Sequence, residues 1–146
     1  MAAEANERAQ RSVPGTVTVT LAVSNCARVA LRGEWDISTE PQLAEALERA
    51  RGRENVVIDL CECTFLDSRT IGTLMTLAQE LAERNGRLEV ALPPAQNVVN
   101  RAFALLGVRE VLSVHDSLDD AQRSLARVRA APSSTWLRPS RAMPVD

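Results

Sequence analysis

The chain has 146 residues, the size of one ordinary domain and enough to bury a core without staples. Its formal net charge of −2 arises from intermixed acids and arginines, with no lysine, no long basic run, two Phe, two Trp and no Tyr, so neither phosphate neutralisation nor base stacking is expected and nucleic acid is excluded as a partner. No stretch has the apolar length of a membrane span and the first residues lack an apolar signal region, which predicts a cytoplasmic protein without membrane attachment.

Residues 1–15 are polar, end near Pro14, and read as a flexible arm. Alternation over 16–23 and again over 27–31, broken at Ser24-Asn25, predicts a hairpin. Thr39-Glu40-Pro41-Gln42 has capping-box spacing with Thr39 as the cap, and a helix follows to about Ala50. Val56-Val57-Ile58 with Leu60 reads as a strand buried on both faces. Ile71, Leu74, Met75, Ala78, Leu81 and Ala82 then recur at helical spacing, up to a stop at Asn85-Gly86.

Residues 88–92 supply a fourth strand. After Pro93-Pro94, the positions Ala95, Val99, Ala102, Phe103 and Leu106 line one helical face that ends at Gly107. A short strand over 111–114 precedes a second capping signature, Ser117 with Asp120, and a helix carrying Ala121, Leu125 and Val128. Strands separated by helices require parallel crossovers after the hairpin. The expected fold is α/β: one domain over 16–129, a mixed sheet of four to five strands packed against about four helices. Residues 130–146 carry Pro132, Pro139, Pro144 and several Ser and read as a tail without a packed fold, in which Trp136-Leu137 is the one apolar spot.

Asp67-Ser68 lies where the third strand delivers the chain to a helix start. There the first N–H groups lack partners and the helix dipole favours negative charge, so a phosphoryl group on the Ser68 hydroxyl would be tolerated. The same two residues are also good N-caps, which is the simpler use of them. Nothing assembles into catalysis. Ser68 is not in a nucleophile elbow, and His115, the only imidazole, reads as a strand-end surface residue. Asp59 and Asp67 flank a turn as in phospho-accepting receivers, but that chemistry uses a lysine. Cys26, Cys61 and Cys63 are too few, with one His, for the usual zinc site, and they read as fillers of small apolar spaces, with a reactive thiol at Cys63 as the lesser option. Neither a metal nor a cofactor is expected.

The segment 55–74, NVVIDLCECTFLDSRTIGTL, resembles the signature of the STAS domain, in which a strand leads through a short loop into Asp-Ser-Ser/Thr-Gly-Leu-Gly. Gly33, Glu34, Trp35 and Asp36 match its Gly-Glu-Leu-Asp turn, and similar stretches follow in the same order, so the resemblance covers roughly residues 16–129. Arg69 stands where a small Ser or Thr is usual, and Thr70 replaces the first Gly. The resemblance implies an anti-sigma factor antagonist, not an enzyme. Its Ser68 would be phosphorylated by an anti-sigma factor with serine kinase activity and reset by a serine phosphatase. It also implies partner contacts at Asp36, Asp67, Ser68, Arg69 and Thr70, and leaves room for a weak homodimer. Thr64, in the loop before the helix, has a weaker claim. The rival readings are a STAS scaffold or transporter-associated module that is not phosphorylated, and a small hydrolase or ligand-binding enzyme, which would require a deep pocket uniting His115 with Ser68.

Overall fold

Alternating Thr and Val make the first strand two-faced: Thr16, Thr18 and Thr20 stay exposed while Val17 and Val19 turn onto the core. This strand, β1 (Thr16–Ala22), pairs antiparallel with β2 (Cys26–Trp35), and Asn25 takes a φ of 62° in the turn, a conformation Asn tolerates. The computed structural model describes residues 14–22 and 25–133, with side chains to 126. Val23 and Ser24 of the expected hairpin, most of the N-terminal arm, the Val128 side chain and Trp136-Leu137 of the tail lie outside the described residues. Pro14 already bridges to Glu34 and Gly15 is buried.

Four crossover-linked strands run parallel: β2, β3 (Asn55–Asp59), β5 (Arg87–Ala91) and β6 (Ser113–His115), giving the order β1-β2-β3-β5-β6. These are the five strands the sequence predicts. Register places Val19, Val29, Ile58, Val90 and Val114 side by side across all of them, one apolar row on one face. A sixth, short strand, β4 (Cys63–Leu66), occupies what reads as loop in the sequence. It pairs parallel with the end of β2, beyond a register irregularity between Gly33 and Glu34.

The helices are α1 (Glu40–Arg51), α2 (Ser68–Glu83), α3 (Val98–Leu105) and α4 (Leu118–Ser133). Leu43 and Leu47 of α1, Leu74, Leu77 and Leu81 of α2 and Phe103 of α3 meet Val29, Ile58 and Val90 in the main core. Each such side chain contributes about 1.5–3 kcal/mol on burial. On the opposite face, Ala121 and Leu125 of α4 cover Val57 and Ala91. Hence β3 is buried on both sides, as its unbroken apolar run predicts. At the α2–β5 turn Asn85 takes the positive φ, 65°, while a Cβ on Gly86 would lie 2.0 Å from the Glu54 carbonyl oxygen, so glycine is needed there for space.

Five boundaries differ from the sequence reading: β2 runs on from 31 to Trp35, and the last helix continues to Ser133, so the first residues read as tail are helical. Thr39 does not cap α1 through its side chain, because its hydroxyl is taken by the Asp36 backbone: Oγ1 accepts from Asp36 N at 2.9 Å. Asp36 is the cap instead, of a short 3-10 turn over Ile37–Thr39 that feeds α1. Ala95 lies exposed before α3, whose start is set by Asn97 accepting from Val99 N at 2.6 Å. A 3-10 turn over Val108–Glu110 pushes the last strand on to Ser113, leaving Val111 exposed. Among the described residues, no helix is long and apolar enough to cross a membrane.

Candidate functional site

The pairing of β4 with β2 creates the site. Trp35 lies opposite Leu66, both buried, and Asp67 N donates to the Trp35 carbonyl at 3.2 Å, so the residues that follow each strand, Asp36 and Asp67-Ser68, emerge together. Asp67 has extended backbone and caps α2, its Oδ1 accepting from Thr70 N at 2.8 Å. The capping role foreseen for the Asp67-Ser68 pair thus falls to Asp67 alone. Ser68 is the first helical residue and exposed, and its hydroxyl makes no hydrogen bond among the described residues.

Asp36 is held by its own turn. Its Oδ1 accepts from Ser38 Oγ at 2.6 Å and Ser38 N at 2.9 Å, and these bonds keep its carboxyl below the ordinary value and ionised at neutral pH. Beside it is an open, largely polar hollow of about 480 Å³, lined by Pro14, Glu34, Asp36, Ser38 and Gln42 among others. Arg69 is exposed and its Nη1 lies 3.6 Å from Oε1 of Glu40, the first residue of α1. Thr70, by contrast, is 4% exposed and belongs to the inner face of α2. Of the five expected site residues, Asp36, Asp67, Ser68 and Arg69 therefore reach the surface at this end and Thr70 does not. Ile37 (63% exposed) and Phe65 (42%) add apolar surface to the segments that carry Asp36 and Ser68. Glu34 adjoins Asp36 in the matched turn, whereas Glu40 and Ile37 carry no sequence signal that would have placed them near the site.

The profile of the family described as "Mlab, STAS domain" matches residues 19–114. The chain belongs to the STAS domain family. An anti-sigma-B factor antagonist of Listeria monocytogenes is 28% identical over 88 residues, which are 59% of this chain and 75% of the relative. A crystal structure of an anti-sigma factor antagonist from Mycobacterium paratuberculosis superposes with a TM-score of 0.67 at 26% identity, covering 80% of this chain and 95% of that one. The unphosphorylated form of the antagonist SpoIIAA shares the fold at a TM-score of 0.61 and 18% identity, over 79% of this chain and 97% of that one.

Elsewhere in this STAS domain two of the three thiols are quiet. Burial pushes Cys61 and Cys63 up to about 11, so neither is a thiolate at neutral pH and the reactive reading of Cys63 is set aside. His115 is not a free surface residue as the sequence reading has it. Its Nε2 lies 2.6 Å from Oε1 of Glu89, a carboxylate with no exposed surface. Ser113 Oγ donates to the same oxygen at 2.6 Å, and Arg87 donates to Oε2 through Nε and Nη2 at 3.0 and 2.6 Å. Burial pushes Glu89 up, but the bonds from Ser113, His115 and Arg87 and the Arg87 charge outweigh it, and the carboxyl is held below its ordinary value. This cluster binds β5 to β6 and occupies the imidazole that a hydrolase would need at Ser68.

Proposed function

We propose that this STAS domain is an anti-sigma factor antagonist that binds its partner through the Asp36–Ser68 surface and is released when Ser68 is phosphorylated. The observation that carries this reading is the Ser68 hydroxyl, exposed and without a bond of its own among the described residues because Asp67 performs the capping. The names of the antagonists it resembles supply the partner class. In the reaction, the γ-phosphoryl group of ATP passes to Ser68 Oγ: the hydroxyl O–H and the β,γ-bridging P–O bonds break, a P–O bond to Oγ forms, and ADP and a proton leave. The kinase is the anti-sigma factor, and a serine phosphatase hydrolyses the ester to restore the hydroxyl. The phosphate adds about −1.5 to −2 charges next to Asp67, so a surface complementary to a neutral hydroxyl meets like charge and a desolvation cost. The partner contacts are Asp36, Asp67, Ser68 and Arg69, the folded unit is the expected 16–129 with α4 carried on to Ser133, and the switch operates in the cytoplasm.

The test is to incubate the full-length protein with an anti-sigma kinase and ATP, locate the phosphate by peptide mass spectrometry, and compare binding of both forms. The phosphate should map to Ser68, disappear in Ser68→Ala, and weaken binding by about tenfold or more, a difference of about 1.4 kcal/mol. Equal binding of the two forms, or labelling of Ser68→Ala at the parental rate, overturns the reading.

A further inference from the structure

Arg69 is the second residue of α2 and Glu40 the first of α1, so their ion pair joins the starts of two helices at the Ser68 end of the fold. At 3.6 Å, with both side chains about half exposed, it is an ion pair too long for a hydrogen bond. Such pairs are weak and exchange partners readily. The charged groups on the segments meeting here are Glu34 and Asp36 at the end of β2, Glu40 on α1, and Asp67 and Arg69 at the β4–α2 turn. Among the described residues where these segments meet, Arg69 is the one cation.

Resting on the reading of Ser68 as phosphoacceptor, we propose that Arg69 is the counter-charge for a phosphate on Ser68 and that Glu40 holds it in reserve, so that modification moves the guanidinium from one anion to the other. Helical side chains tilt towards the N-terminus, so those of residues 68 and 69 both lean out over the start of α2. A phosphate offers roughly twice the charge of a carboxylate and three acceptor oxygens, and a guanidinium meets it with two parallel N–H donors. The looser pair at Glu40 yields to it. Glu40 is then left as an uncompensated carboxylate, and the new negative surface extends from α2 on to α1. A partner covering both helix starts therefore senses the modification at two places, only one of which carries phosphate.

The test uses the full-length chain with phosphoserine installed at position 68 during translation, and follows the phosphorus-31 shift against pH to obtain the midpoint of the second phosphate ionisation. Arg69→Gln should raise that midpoint by about half a unit, an opposite charge having been removed from an exposed site. Glu40→Gln should lower it by less, and this second shift should vanish in the double variant, because Glu40 acts by withholding Arg69. A midpoint unmoved by Arg69→Gln, or a Glu40→Gln shift of equal size with and without Arg69, overturns the proposal. Because the phosphate is installed without a kinase, failure of the antagonist reading appears separately, as no transfer to Ser68 from ATP with this cycle intact.

Discussion

Two carboxylate sites in this fold are satisfied in opposite ways. Asp36 and Asp67 take their hydrogen bonds from residues two and three positions along the chain, Ser38 and Thr70. Glu89 takes two of its own from Ser113 and His115, 24 and 26 positions away. Local partners leave the outward side of a carboxylate and its neighbours available to something else. Distant partners enclose the group and make it a joint between strands. The contrast separates the surface proposed for partner contact from the part that joins the strands.

The largest effect expected from breaking this contrast is at Glu89. Glu89→Ala leaves Ser113 and His115 without their acceptor and the partly exposed Arg87 without its partner, and should cost about 2–3 kcal/mol in urea unfolding. Phosphorylation of Ser68 in the folded fraction should be unaffected. A variant as stable as the parent would mean that the cluster is not a joint at all.

Acid titration sharpens the same point. Glu89 is held below its ordinary value of 4.5, so near and below that pH the unfolded chain binds the extra proton first, and stability falls as pH drops through the folded value. The Glu89 contribution is fully present above the ordinary value. Stability measured from pH 6 downward should therefore decline more steeply in the parent than in Glu89→Gln. Parallel curves would show that Glu89 does not drive acid unfolding.

Smaller effects belong to the surface site. Asp67→Ala removes the cap on the Thr70 N–H and should cost about 1 kcal/mol in thermal or chemical unfolding. Ser68→Ala should cost about 0.5 kcal/mol or less, because the hydroxyl it removes has no bond to lose among the described residues. Should Ser68→Ala prove the more damaging of the two, the division of roles between cap and free hydroxyl would be reversed.

Most of the architecture was readable from period alone. Helical spacing in 71–82 and the apolar run 56–58 describe faces that are buried wherever the segments go. Asp67-Ser68 was likewise visible as a helix start, since caps are local chemistry. Which of the two does the capping was not, because that depends on whether helical backbone begins at Ser68 or one residue on. The use of β4 and the enclosure of Glu89 were hidden for a different reason. CTFL pairs with β2 only past an irregularity at Gly33/Glu34, and Glu89 is satisfied only because register sets Ser113 opposite it and His115 opposite Ala91. Register between distant segments is not written in either segment by itself.

The amide of Asp67 closes on the carbonyl of Trp35, 32 positions earlier, and this single bond has a bearing on timing. A newly made or partly unfolded chain already contains Asp67-Ser68 as a tetherless peptide, but it presents Asp36 beside them only once β2 and β4 have zipped. Loop closure over that span comes late relative to local turns. A recogniser that requires both segments would thereby distinguish a folded chain from an unfolded one as well as reading its chemistry.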